Sequence, residues 1–169
     1  MPDYIFDATV FSNFAAADRL DLLETRYRGI GFTTMEVGDE LRKGVKAGYD
    51  HLESALQQME NVNPKGWLRI LSPESSNEHR LRLEYDRSLN AGEASCLALA
   101  VSRELVFATD DLAARQAAGK GGVHLTGTLG ILVALVRSET LTIAEANGML
   151  AAMIERSYRS PLDRLDDLI

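Results

Sequence analysis

Apolar residues along the chain follow two rhythms. Short runs, Tyr4-Ile5-Phe6, Gly29 to Thr33, Trp67 to Leu71, Leu105 to Ala108 and Val123 to Leu125, have the length of buried strands. Between them lie segments whose apolar positions recur at helical spacing. Ala8 to Phe14 carries Val10, Phe11 and Phe14. Glu93 to Leu105 carries Ala94, Leu97, Ala98, Val101 and Leu105. Leu112 to Ala118, Gly127 to Val136 and Thr142 to Tyr158 continue the series. Short strands alternating with helices predict a central parallel β-sheet flanked by α-helices, a three-layer α/β fold.

Local signals refine the boundaries. Thr33 or Thr34 caps the helix after the second strand, Thr142 with Glu145 and Thr33 with Glu36 have the spacing of a capping box, and Asp18 stands where it would cap a short helix over Asp18 to Leu23. Val45 to Glu60 reads as one long amphipathic helix carrying Tyr49, Leu52, Ala55, Leu56 and Met59. A turn at Asn63-Pro64-Lys65-Gly66 follows, and another helix starts at Ser72-Pro73-Glu74. The expected organisation is one domain over 1–158, with a helical insertion at about 45–86 and a tail over 159–169.

Composition narrows the class. The chain has 169 residues, 46% hydrophobic and 25% charged, as ordinary globular domains do. The net charge of −7 argues against a surface that is wholly a nucleic-acid platform. It leaves room for an enzyme that handles nucleic acid through a metal and a local basic patch. No apolar run approaches the ~20 residues that cross a bilayer. The lone Cys96, on an apolar helix, fits a core position in a reducing cytoplasm, and the start of the chain lacks signal-peptide architecture. A cytoplasmic protein without membrane contact is expected.

Spacing argues against several chemistries. His51, His79 and His124 lie on different elements, which speaks against a histidine zinc site. Gly119-Lys120-Gly121-Gly122 lacks the order and the hydroxyl residue of a phosphate-binding loop, and no G-x-S-x-G elbow occurs. What remains is carboxylates where strands end and helices start: Asp7, Glu40, Glu93, Asp110 and Asp111. In open parallel sheets that end of the sheet holds the binding crevice. Converging carboxylates repel unless a cation joins them, and hard oxygen donors suit Mg²⁺ or Mn²⁺. Each acid also has a structural reading. Asp7 has the position of a helix N-cap, and Asp39 and Glu40 have that of solvated helix residues. Glu40 is preferred over Glu36, because Glu36 has a capping role. Arg80, Arg82 and Arg87, near Lys65 and Arg69, form the most basic stretch. With Glu78, Glu84 and Asp86 interleaved, it reads as a balanced solvated face rather than a phosphate-binding one.

Five blocks in order, FDATVFSNFAAADRLDLL, TTMEVGDELRKG, LNAGEASCLALAV, VFATDDLAARQAA and TGTLGILVAL, together resemble the PIN-domain family. The G-E-A and D-D-x-x-A-R blocks are similar to its toxin-type, VapC-like branch. The resemblance implies a Mg²⁺- or Mn²⁺-dependent endoribonuclease, and in the toxin-type branch restraint by a cognate antitoxin protein. A homodimer is expected, with the extra helices of Val45 to Asp86 as a dimer surface, a cover for the site or a partner contact. Carried over residue by residue, it implies catalytic roles for Asp7, Glu40, Glu93 and Asp111. Metal ligation would fall to Asp7 and Glu93 with Asp110 or Asp111. Substrate phosphate contacts would come from Arg115 and from Thr126, Gly127 and Thr128 at a helix start. The principal rival is a catalytically silent PIN-like binding or regulatory protein. A D-x-D phosphatase is a weaker rival, because Asp7 is followed by Ala8 and Thr9.

Overall fold

The structure is a computed structural model describing residues 1–169. Five parallel strands, β1 (Tyr4–Phe6), β2 (Gly31–Thr33), β3 (Arg69–Ile70), β4 (Val106–Ala108) and β5 (Leu125–Thr126), form one sheet in the order β3-β2-β1-β4-β5. Successive side chains of a strand point to opposite faces. Ile5 and Phe6 are both fully buried, as are Phe107 and Ala108, so both faces of the sheet are covered. This is the three-layer α/β arrangement expected from the two rhythms. The chain leaves β1 toward β2 on one side and returns to β4 on the other, so the topological switch point lies between β1 and β4.

Seven α-helices connect the strands and two follow the last one: α1 (Ala8–Ala16), α2 (Leu20–Tyr27), α3 (Met35–Lys46), α4 (Leu52–Leu56), α5 (Ser76–Tyr85), α6 (Ala91–Arg103) and α7 (Leu112–Lys120), then α8 (Thr128–Arg137) and α9 (Ile143–Glu155). Helix α6 packs on β1 and β4 and against α5 and α7, and α1 packs against α4, α8 and α9. One continuous core runs from Ile5 to Leu165. The final residues are tied to it: Leu165 is buried, its N–H bonds Asn147 Oδ1 at 2.8 Å, and a 3-10 turn follows at Asp166–Leu168.

Four local expectations are overturned. The helix expected to start at Ser72-Pro73-Glu74 starts at Ser76, with Ser75 as its cap. Val45 to Glu60 is not one helix. Helix α3 closes at Ala47, Gly48 turns with φ +102°, and α4 starts only at Leu52. A side chain at Gly48 would be strained, so this glycine terminates the helix despite continuous apolar spacing. The capping box of Thr33 and Glu36 does not form. Thr34 caps α3 through the Val37 N–H, Thr33 donates to the Phe6 carbonyl at 2.7 Å, and Glu36 pairs with Arg82 at 2.8 Å. Asp18 does not cap α2, because its φ is +54° and Arg19 occupies the cap position. The capping box at Thr142 and Glu145 does form.

Candidate active site

Asp7 follows β1 and is the helix cap that its position suggests. Its Oδ1 caps α1, accepting from the Thr9 N–H at 2.9 Å and the Thr9 hydroxyl at 2.6 Å, while Oδ2 accepts from the Thr109 hydroxyl. It is 1% exposed and has no cationic partner. Burial, aided by the nearby Asp110 charge, pushes its pKa up to about 7 against the hydrogen bonds that favour the anion. Thr9 then reaches across the switch point, its hydroxyl accepting from the Asp110 N–H at 2.9 Å. The ends of β1 and β4 are thus laced together by side chains.

Asp110 and Asp111 diverge after β4. Asp110 is held by donors on every side: Asn13 Nδ2 at 2.9 Å, the Thr128 N–H at 2.8 Å and the Thr128 hydroxyl at 2.5 Å. Asp111 caps α7, accepting from the Ala114 N–H at 2.9 Å. Its charge acts on Glu93 and Glu40. Glu93 is buried at the first turn of α6 in a capping box with Asn90. Burial first, then Asp111 and Glu40, push its pKa up to about 7. Glu40 lies beside it: its Oε2 would stand 3.3 Å from a Cβ at Gly92, and burial and Asp111 raise its pKa too.

The structure therefore brings all five sequence-predicted acids to the carboxyl end of the sheet, in two groups. Asp7 and Asp110 form a hydrogen-bonded knot. Glu40, Glu93 and Asp111 form a mutually repelling set. As placed, no three of these side chains gather closely enough to hold a metal ion. The donor chemistry nonetheless fits a hard divalent cation: carboxylate oxygens only, none in a salt bridge, with Lys43 the one basic charge that acts on Glu40. Glu40, Asp110 and Asp111 line an open cleft of about 1230 Å³, beside Thr9, Asn13 and Arg115.

The phosphate contacts expected at the start of α8 are not free as a set. Both the N–H and the hydroxyl of Thr128 are committed to Asp110, which sits where an external anion would. A Cβ at Gly127 would meet Asp110 Oδ1 at 2.6 Å, so only glycine lets the helix start approach this carboxylate. Arg115 pairs with no acid. Its Nη1 bridges the Thr109 and Thr126 carbonyls at 2.8 and 3.1 Å, joining the ends of β4 and β5. Thr126, Gly127 and Arg115 all line the cleft.

Sequence reasoning missed Thr9, Asn13 and Thr109, the donors that fix the acids. Only Thr9 left a trace, as a hydroxyl two residues after a helix-capping Asp. It also missed Arg156, Tyr158 and Arg159, which border the cleft beyond the end of α9. The basic stretch around α5 is neutralised in part: Arg80 pairs with Glu84, and Arg82 with Glu36 and Asp86, while Arg87, Lys65 and Arg69 form no salt bridge. Cys96 is fully buried near Asp7 and Thr34.

A family model described as a PIN domain matches residues 3–169. The chain belongs to the PIN-domain family. Among solved structures, it is similar to the crystal structure of PAE2754 from Pyrobaculum aerophilum. The two share 22% identity over 83% of this chain and 98% of that one, with a TM-score of 0.51. At that identity the likeness speaks for the shared fold. No curated protein matches. No helix of this PIN domain is long and apolar enough to cross a membrane.

Proposed function

We propose that this PIN domain is a divalent-metal-dependent endoribonuclease that hydrolyses RNA phosphodiesters at the carboxyl ends of β1 and β4. The observation that carries this reading is a set of five carboxylates at the carboxyl end of the sheet, Glu40, Asp110 and Asp111 lining the cleft and Asp7 and Glu93 buried, none of them in a salt bridge. A silent binding protein would have no use for such a set, which is costly to keep unpaired. Asp7, Glu93 and Asp111 would hold Mg²⁺ or Mn²⁺, with Glu40 beside them. A bound ion would acidify a water molecule and offset the negative charge that develops on the reacting phosphate.

The chain's own residues do the positioning. Thr9 and Thr109 lock the Asp7 carboxylate in one orientation, and Asn13 and Thr128 lock Asp110. Glu93, whose pKa is raised to about 7 by burial and by the Asp111 and Glu40 charges, would be held deprotonated by a bound cation and so serve as a ligand. Arg115, fixed by two strand-end carbonyls, places a permanent positive charge on the cleft wall for a phosphate.

The deciding experiment is cleavage of a mixed single-stranded RNA pool by the purified protein with Mn²⁺, with EDTA, and as Asp7→Asn. Cleavage should require both the metal and Asp7. The variant should stay folded, because Asn keeps the cap of α1 and the capping contribution is only ~1 kcal/mol. Cleavage that survives EDTA, or survives Asp7→Asn, would overturn the proposal. A toxin role restrained by an antitoxin belongs to the same reading through the resemblance of the five blocks. It predicts growth arrest on expression that Asp7→Asn relieves.

A further inference from the structure

The floor of the cleft is acidic and the chain carries a net charge of −7, so a phosphodiester entering it is repelled unless nearby cations compensate. Those cations come from a segment far away in sequence. Helix α9 ends at Glu155, and Ser157 then adopts φ +84°, with the Tyr158 N–H bonding back to the Met153 carbonyl at 3.0 Å. This left-handed closure turns the chain so that Arg156, Tyr158 and Arg159 border the cleft. The Tyr158 hydroxyl stands 3.5 Å from Asp110 Oδ1, which ties this rim to the acidic floor. Arg156 and Arg159 are exposed, and neither has a carboxylate within 4 Å. Arg69, Arg87 and Arg137 are also exposed and without an acid within 4 Å but lie outside the cleft, while Arg19, Arg28, Arg42, Arg80 and Arg164 are each paired with an acid.

A second turn supplies the facing aromatic. After the left-handed Gly48, Tyr49 also lines the cleft, 60% exposed, with its ring edge-on to His51 at 6.3 Å. Two unpaired arginines and two tyrosines, each tyrosine delivered by a helix-ending turn, therefore border one cavity. Arginine suits phosphate, and exposed aromatic faces suit unstacked bases. The cavity exceeds the roughly 300–1,000 Å³ that holds a drug-sized molecule, leaving room for more than one nucleotide.

We infer that the Tyr49 and Arg156–Arg159 rim is a substrate-binding wall for single-stranded polynucleotide, RNA in the reading above. Arg156 and Arg159 hold backbone phosphates, and Tyr49 and Tyr158 receive bases. The inference rests on the nuclease reading for its substrate, but its test does not require cleavage. Binding of a short labelled single strand of mixed sequence is measured by fluorescence anisotropy in EDTA, across a range of salt. The Arg156→Ala/Arg159→Ala variant should bind about tenfold more weakly. Its plot of log affinity against log salt should be shallower by roughly 1.4, since each single-strand phosphate contact contributes about 0.7. Tyr49→Ala should weaken binding about fivefold or more with the salt slope unchanged. Arg80→Ala, outside the cleft, should bind as the parent does.

Rim variants that bind like the parent, or a duplex that binds as tightly as the single strand, would overturn the wall. Binding to DNA but not to RNA of the same sequence would overturn the RNA assignment. The two proposals fail separately. Metal-dependent cleavage with unaltered binding by the rim variants removes the wall and leaves the nuclease. Rim-dependent binding with no cleavage under any metal does the reverse.

Discussion

Two capping boxes in this protein are built alike and have opposite electrostatic outcomes. Ser75 and Glu78 start α5, and Asn90 and Glu93 start α6, each with the cap side chain accepting from the glutamate N–H and the glutamate reaching back. Both glutamates are buried. Glu78 meets the Arg103 guanidinium at 2.8 and 3.1 Å, and that contact, with backbone donors, holds its pKa down at about 2. Glu93 meets Asp111 and Glu40, and its pKa rises to about 7, chiefly through burial. Helix α6 carries both sides of the contrast, with Glu93 in its first turn and Arg103 in its last. The local motif is a structural device in both places. What makes one carboxylate an anchor and the other a candidate catalytic group is which distant residue the fold sets against it.

The largest effect that separates them comes from neutralising each in turn. Glu93→Gln should lower metal-dependent RNA cleavage on the order of 100-fold or more, while stability is unchanged or raised. The substitution removes a charge from a repelling group and keeps the cap. Glu78→Gln should do the converse, leaving cleavage intact and costing about 2 kcal/mol by weakening a buried, charge-assisted pair. Urea denaturation alongside a cleavage assay reads both. If the two variants behave alike in both assays, the contrast is wrong.

The placement of the acids is largely legible in the amino-acid sequence. The strands are short and apolar on both faces, so their ends are sharp, and the acids after Phe6 and Ala108 have to lie at the sheet's carboxyl edge. Glu36 and Glu40 do stand in different surroundings, Glu36 paired with Arg82 rather than in a cap and Glu40 beside Gly92 and Glu93. Three features leave no such trace. The break at Gly48 depends on one backbone angle that the apolar spacing of Tyr49, Leu52 and Leu56 conceals. The commitment of Thr128 to Asp110 is a contact across 18 residues. The arginines after α9 carry no motif, and only the return of that helix against α1 brings them to the cleft. Periodicity reports faces of elements; it does not report which element end faces which.

pH separates the two carboxylates next. A carboxylate whose folded pKa lies above its unfolded value leaves the folded state holding more protons than the unfolded one between the two values. For Asp7 and Glu93, with ordinary values near 4 and folded values of about 7, stability is highest below the ordinary range and falls as pH rises toward 7. For Glu78 the sign reverses: its contribution is present above the ordinary range and is lost as pH falls toward 2. The metal-free protein should therefore melt higher at pH 5 than at pH 7.5, by an amount on the order of 2 kcal/mol or roughly 4–8 °C. Mn²⁺ at pH 7.5 should recover much of the difference. Scanning calorimetry at the two pH values, with EDTA and with Mn²⁺, reads it, and Asp7→Asn/Glu93→Gln should flatten the profile. A melting temperature that rises from pH 5 to 7.5 without metal would mean that these acids are compensated by something other than a cation.

The smallest effect tests the shared half of the comparison. If the capping boxes are equivalent locally, then Ser75→Ala and Asn90→Ala should each cost about 1 kcal/mol, since each removes one acceptor from the glutamate N–H of its helix. Neither should move the other glutamate's titration. Asn90→Ala carries one further consequence. The alanine cannot hold the Glu93 N–H, so the first turn of α6 loosens where Glu93 faces Asp111. Cleavage should then fall by a few-fold, far less than with Glu93→Gln. Ser75→Ala should leave cleavage alone. Paired urea melts establish whether the costs match to within about 0.5 kcal/mol, and a much larger cost for Asn90→Ala would show that its cap is coupled to the acid cluster rather than independent of it.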